Sequence, residues 1–172
     1  VDNRDDARYE KVSYVAAASD QKDRCKYSDF GNAVLCAFPS NQVGGNALTP
    51  GICTTDPAGR AGYNRGDENQ GDLQGDYTNS FGGTSSACPG VAGVAALILS
   101  CNPGLQWHEV KEIIKSSCDR IDEANGQYDE NGHSPLYGYG RVNAAKAVAA
   151  VSGPAKGESP GGIWRRFLSI FK

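Results

Sequence analysis

The chain has 172 residues, 39% of them hydrophobic and 22% charged, so it can bury the core of one ordinary domain. Its 20 acidic residues exceed its 17 lysines and arginines, and the net charge of −3 disfavours a nucleic-acid-binding function. The longest wholly apolar run, Val91–Leu99, is too short to span a bilayer. The chain starts at Val1 and contains no methionine, so we expect a fragment or processing product of a longer protein.

Patterns of apolar residues predict two buried strands and a short third strand, followed by three helices. The predicted strands cover residues 12–18, 33–38 and 52–55, and the predicted helices cover residues 85–100, 106–118 and 143–151. Residues 56–75 are rich in Gly, Asp, Asn and Gln and predict an extended loop. The helix over 85–100 carries Pro89 in its first turns and is apolar on all sides, so we expect it to be central. The 22 glycines and 8 prolines favour a loop-rich α/β fold over a helical bundle.

Six cysteines are spread along the chain: Cys25, Cys36, Cys53, Cys88, Cys101 and Cys118. They form no C-x-x-C pair, so neither a zinc site nor a thioredoxin-type motif is expected. Cys25 and Cys36 are spaced so that they could pair across a hairpin, although spacing alone does not show a disulfide. We expect mostly free thiols and therefore a soluble protein of a reducing, intracellular compartment.

Residues 80–93, with the sequence SFGGTSSACPGVAG, combine a flexible turn with the start of a helix. The Gly82–Gly83 pair allows a sharp backbone turn. Two serines, Ser85 and Ser86, then fall at the N-terminus of the predicted helix. The unpaired N–H groups there carry partial positive charge, which suits a serine oxygen that attacks a carbonyl. Helix capping is the competing interpretation, because serine and glycine are favoured at helix starts anyway.

Three stretches in order resemble one known family. GTSSACPGVAGVAALILSCNPGLQWHEVKEII resembles the nucleophile segment of subtilisin-like serine proteases, and YGYGRVNAAKAV resembles the close of the same catalytic domain. CTTDPAGRAGYN, leading to DYTNSFGGTS, is similar to the kexin/furin-like branch and its bacterial calcium-dependent relatives. The resemblance covers about residues 5–151. It implies a three-layer α/β/α fold with a parallel sheet, completed by an upstream chain.

The resemblance makes Ser85 the nucleophile and its backbone N–H one donor to the oxyanion. Ser86 falls on a variable position of the family, and Gly90 stands where the family often has histidine. The triad histidine and aspartate, and the oxyanion asparagine, lie upstream in this family. Neither His108 nor His133 matches the catalytic histidine, so we expect both to be surface or structural residues.

This chain alone is therefore expected to be inert. The resemblance implies the nucleophile-bearing segment of a two-chain serine endopeptidase that depends on calcium and cleaves after arginine or lysine. The simplest origin is one precursor, cut before Val1, whose two pieces stay together. The alternatives are a catalytically inactive subtilisin-like binding or regulatory module and a calcium-stabilised structural domain.

Several acidic residues are candidates for substrate or calcium binding. By position before the first strand, Asp6 and then Asp5 match the family's pocket for a basic P1 side chain; an acidic solvated loop is the alternative. Asp29, in Y-S-D, aligns with a calcium ligand of the kexin-like branch, and Asp2 is a second candidate. The acidic residues in 66–76 could hold an ion of their own, but they lack the EF-hand spacing, which favours a polar loop.

The C-terminal stretch differs in composition from residues 1–151. Residues 152–162 have the composition of a linker. Residues 163–172, IWRRFLSIFK, predict a short basic amphipathic tail. Such a tail either contacts a membrane surface or a partner, or packs on its own protein; the membrane interpretation is disfavoured.

Overall fold

The computed structural model describes residues 2, 9–42 and 51–152. The strands are β1 (Tyr14–Ala18), β2 (Val34–Pro39), β3 (Ile52–Thr55) and β4 (Tyr77–Phe81), and the helices are α1 (Thr84–Cys101), α2 (Trp107–Ser117) and α3 (Ala144–Val151). All six predicted segments are present, with ends shifted by at most two residues. Strand β4 and a 3-10 turn at Glu68–Gln70 were not predicted. Most of the predicted linker and the whole tail, 163–172, lie outside the described residues.

The core of the fold is a parallel sheet. Strands β1 and β2 pair in parallel. The other edge of β2 accepts a third segment, residues 139–142, through hydrogen bonds that include Ala37 N to Gly140 O at 2.8 Å and Val142 N to Ala37 O at 3.0 Å. Strands β3 and β4 form a separate antiparallel pair, and β4 leads directly toward α1.

Alternate side chains of the strands point to opposite faces of the parallel sheet, and both faces are covered. On one face Cys36 packs in a cluster with residues from all three helices: Val91, Val94, Ile98, Val110, Ile114 and Ala147. On the other face Ala16 and Ala18 pack with Ile121 and Tyr137 from the loops after α2. The described residues thus form the sheet and one helical layer of an α/β fold.

Helix α1 is only partly enclosed, so the prediction of a fully central helix is wrong for the described residues. The exposed positions on α1 are Ser85, Cys88, Pro89, Ala92, Gly93, Ala96, Leu99, Ser100 and Cys101. By length and composition α1 is also the one candidate membrane span in the described part of the chain. Its buried side packs on β1, β2 and α3, as the core helix of a globular domain does.

All six cysteines are free, and the sequence predicted mostly free thiols. Cys25 and Cys36 are buried. Hydrogen bonding to the neighbouring Cys118 thiol, together with burial, raises the pKa of Cys36 well above its usual range. Both effects keep this thiol protonated and unreactive.

Asp119 ties the end of α2 to the start of α3. Its carboxylate lies 2.5 Å from Lys146 Nζ and 2.9 Å from Asn143 Nδ2, and Arg141 is within 3.9 Å. The hydrogen bond from Lys146 is the largest of the effects that lower the pKa of Asp119 below 3.8.

Asp119→Asn is expected to lower the free energy of unfolding by about 1 kcal/mol at pH 7. Because the folded-state pKa is depressed, this contribution is complete above the unfolded-state value and is lost as the pH falls through the lower folded value. Urea unfolding of both proteins at pH 7 and pH 3 measures it. A difference that stays the same at both pH values would contradict the ionic origin of the effect.

Candidate active site

The turn between β4 and α1 depends on two glycines. Gly83 has φ +79°, a left-handed conformation that side chains disfavour. At Gly82 a Cβ atom would fall 1.8 Å from Asn41 Oδ1, so a side chain there would displace the Asn41 amide from Gly83 N. These two constraints direct the chain from the end of β4 into the first turn of α1.

The structure separates the two serines that follow this turn. Ser85 is exposed, and within the described residues neither its Oγ nor its backbone N–H has a hydrogen-bond partner. Ser86 is 4% exposed, and its Oγ is hydrogen-bonded to Gly83 O and Ser40 Oγ. Of the two, only Ser85 is free to attack a substrate.

Helix capping does not explain Ser85. The N-cap of α1 is Gly83, which has no side-chain capping bond, and Ser85 is the second residue of the helix. Its free N–H points out of a helix of 18 residues, where the aligned peptide dipoles favour negative charge. A hydroxyl and an unpaired N–H on the same residue suit attack on a carbonyl and stabilisation of the oxyanion.

Five residues form a hydrogen-bonded cluster behind Ser85, which we call the Gly83 clamp: Tyr27, Ser40, Asn41, Gly83 and Ser86. Tyr27 Oη lies 2.9 Å from Ser40 Oγ, which lies 2.9 Å from Gly83 O. On the other side of the same glycine, Gly83 N donates to Asn41 Oδ1 at 3.2 Å. Sequence analysis missed Tyr27, Ser40 and Asn41. The one sequence signal was that Ser40 and Asn41 come just after β2, since functional groups collect at the carboxyl ends of parallel strands.

One histidine has structural contacts and the other lies at the surface, as expected. His133 Nε2 lies 2.9 Å from Val34 O, and its ring packs edge-on against Tyr139. His108 is exposed on α2 beside Trp107. Neither histidine is hydrogen-bonded to Ser85, so the described residues do not supply the base that a serine nucleophile needs.

The candidate acidic residues are placed only in part. Asp5 and Asp6 lie outside the described residues. Asp29 is exposed and follows Ser28, whose Oγ accepts a hydrogen bond from Ala17 N at 3.0 Å in β1. Asp2 accepts hydrogen bonds from the backbone N–H groups of residues 32 and 33, both at 2.9 Å, and these bonds lower its pKa.

The described residues do not complete a calcium site. They contain no group of three or more acidic, histidine or cysteine side chains able to hold a metal ion. Calcium takes about six to eight oxygen ligands, and Asp2 and Asp29 offer only their carboxylates. Each Asp2 oxygen keeps a second lone pair after accepting one N–H, so both residues remain usable as partial ligands.

The loop over 66–76 uses its carboxylates to hold its own backbone. Asp72 Oδ1 accepts the N–H groups of Asp76 and Tyr77, both at 2.9 Å, and Asp76 Oδ1 accepts from Gly59 N at 2.8 Å. Asn64 is fully buried at the centre of the loop. These contacts favour the interpretation as a polar loop over that as an ion site.

Comparison with known proteins agrees with this geometry. The model of the subtilase family (Peptidase_S8) matches residues 3–140. The chain belongs to the subtilase family. It is 64% identical over 148 residues to a calcium-dependent protease of Trichormus variabilis, covering 86% of this chain and 22% of that protein. It is also 37% identical over 82 residues to kexin of Saccharomyces cerevisiae, covering 45% of this chain and 10% of kexin.

The fold is likewise that of the family. A crystal structure of the serine protease of Aeromonas sobria superposes with a TM-score of 0.68 at 25% identity, covering 84% of this chain and 30% of that one. The predicted resemblance to subtilisin-like, kexin-related proteases and the α/β subtilisin-like fold are confirmed. This chain spans well under half the length of each of these three relatives.

Proposed function

We propose that this chain carries the nucleophile of a subtilisin-like serine endopeptidase. The strongest support comes from Ser85, whose hydroxyl is exposed and whose backbone N–H has no hydrogen-bond partner within the described residues. Ser85 lies in the first turn of α1, within the residues that the subtilase model matches. Ser86 lacks this freedom because its hydroxyl is buried and bonded.

In the proposed reaction Ser85 Oγ attacks the scissile carbonyl carbon while a histidine removes its proton. The backbone N–H of Ser85 donates to the oxyanion that forms. As the C–N bond breaks, the histidine passes the proton to the leaving amine, and an acyl-enzyme remains. Water, deprotonated by the same histidine, hydrolyses the ester and restores the serine.

We further propose that an upstream N-terminal chain supplies the histidine, the aspartate and the oxyanion asparagine. The two described histidines are bonded or placed elsewhere, so the base comes from outside the described residues. The exposed apolar face of α1, with Ala92, Ala96 and Leu99, offers that chain a surface to cover. Both chains would arise by autoprocessing of one precursor.

Substrates are proposed to be peptides or proteins with arginine or lysine at P1. Asp6, with Asp5 beside it, would pair with that side chain, since a buried carboxylate facing a guanidinium is a strong specificity device. This assignment follows what the resemblance to the kexin/furin-like branch implies for these two positions.

A fluorophosphonate probe should label the assembled protein on Ser85. The chain 1–172 alone should stay unlabelled, because a serine hydroxyl without a base is a weak nucleophile. Labelling is read by gel fluorescence and located by mass spectrometry, with Ser85→Ala as the matched unlabelled control. An assembled wild type that takes up no probe would favour the inactive binding or regulatory module.

We propose calcium as the cofactor, with Asp29 and Asp2 among its ligands and the other oxygens coming from elsewhere in the assembly. One relative at 64% identity is a calcium-dependent protease, which supports this. When bound, the ion would supply charge neutralisation and rigidity beside β1.

Calcium should raise the melting temperature of the assembled protein, and Asp29→Asn should weaken its affinity for calcium by about tenfold or more. Thermal melting across a calcium titration measures this. Glu68→Gln, a change to an exposed carboxylate in the 66–76 loop, serves as control and should leave the titration unchanged. A weaker response in Glu68→Gln than in Asp29→Asn would place the ion in the loop instead.

The six free thiols support a reducing, intracellular compartment, and we propose that location for the protein.

A further inference from the structure

We propose that Tyr27, Ser40 and Ser86 are positioning residues that hold the Gly83 peptide and thereby aim Ser85. This inference rests on the proposed peptidase function. The three hydroxyls are joined in the order Tyr27 to Ser40 to Ser86, with Ser40 Oγ and Ser86 Oγ only 2.7 Å apart.

Counting protons limits the hydrogen bonds of this cluster. Each hydroxyl has one proton, and Gly83 O can only accept. Ser40 Oγ, Ser86 Oγ and Gly83 O make three mutual contacts with two hydroxyl protons, so one serine donates to Gly83 O while the other donates to that serine. Tyr27 donates into the same region, toward Ser40 Oγ at 2.9 Å and Asn41 O at 2.5 Å. Burial raises the pKa of Tyr27 to about 12, so it remains a donor at neutral pH.

The clamp acts at the most flexible point before the nucleophile. Gly83 has no side chain, has a positive φ and lacks a side-chain cap, so its own conformation restrains it little. Its carbonyl accepts bonds from the N–H of Ser86 and from the hydroxyl of Ser40 or Ser86, and its N–H donates to Asn41 Oδ1. The two peptide planes on either side of Gly83 are thus each held by hydrogen bonds, two residues before Ser85.

The two serines of the cluster are buried, so removal of either hydroxyl should have a measurable effect. Ser40 is 5% exposed and Ser86 is 4% exposed. Removing either hydroxyl takes away one of the bonds that hold this turn, so the remaining bonds restrain the Gly83 carbonyl less and the glycine turn can shift. A displacement of this kind moves both the attacking Oγ and the oxyanion N–H, because Ser85 carries the two groups.

The test compares steady-state peptide hydrolysis by the assembled wild type with Ser40→Ala, Ser86→Ala, Tyr27→Phe and the Ser40→Ala/Ser86→Ala double variant. We expect each serine variant to lower kcat by about tenfold to a hundredfold with little change in KM, and Tyr27→Phe to lower it less. Because the two serines act on one carbonyl, the double variant should fall about as far as the worse single variant.

Ser117→Ala is the matched control. Ser117 is also a buried helix serine, 3% exposed, whose Oγ donates to the carbonyl three residues earlier, Ile114 O, at 2.9 Å. It should leave kcat unchanged. Amide hydrogen exchange at residues 84–87 should be faster in Ser40→Ala and Ser86→Ala than in wild type or Ser117→Ala.

The outcomes separate the two proposals. An active wild type whose kcat survives Ser40→Ala and Ser86→Ala, or falls equally in Ser117→Ala, overturns the positioning role alone. Losses that multiply in the double variant overturn the shared action on Gly83. A correctly assembled wild type that hydrolyses no peptide overturns the peptidase function, and with it any catalytic role of the clamp, even where exchange shows the turn to be held.

Discussion

Ser85→Ala is expected to lower kcat for peptide hydrolysis by about 10⁴- to 10⁶-fold in the assembled protein. The variant removes the only proposed attacking atom, and no acyl-enzyme can form without it. The rate that remains comes from substrate binding and the oxyanion donors, which act on a water molecule instead.

The loss should not come from misfolding. Ser85 is exposed and its hydroxyl has no hydrogen-bond partner within the described residues, so the free energy of unfolding should change by less than about 0.5 kcal/mol. Ser100→Ala, another exposed serine of α1, serves as control and should keep full activity. Retention of more than about one hundredth of the wild-type kcat by Ser85→Ala would show that another group is the nucleophile.

The largest effect on stability is expected at the centre of the helical layer. Ile98 is fully buried and packs with residues of β2, α2 and α3. Ile98→Ala should lower the free energy of unfolding by about 2–5 kcal/mol, because it loses buried apolar surface and leaves a cavity. Urea unfolding of the assembled protein measures the change.

Leu73→Ala is the matched control for this prediction. It removes the same number of carbon atoms from a side chain that is 57% exposed, so its effect should be within about 0.5 kcal/mol. Equal losses in the two variants would show that Ile98 does not lie in a tightly packed core.

The sequence predicts those parts of the fold that depend on local pattern. Helix α1 has a run of small apolar residues bounded by a glycine turn and by Asn102-Pro103, so its limits were predicted within one residue. Strand β4 was missed because Tyr-Thr-Asn-Ser-Phe has no clear alternation, and its pairing with β3 is a tertiary contact across a long loop.

The candidate site shows the same division. Ser85 was predicted from a motif within one short segment. The Gly83 clamp, in contrast, depends on long-range contacts: Ser40 bonds to Gly83, 43 positions further along the chain, and to Ser86, 46 positions further along. Single-sequence patterns contain no such pairing. Only the closeness of the carboxyl end of β2 to the start of α1 gives Ser40 and Asn41 their role.

The uncovered face of α1 also affects how the chain behaves in a test tube. Ala92, Ala96 and Leu99 form an apolar stripe in contact with water, and such stripes adhere to one another. Preparations of residues 1–172 without a cover would therefore tend to self-associate as their concentration rises. The yield of soluble monomer would then report whether the proposed upstream chain covers that stripe.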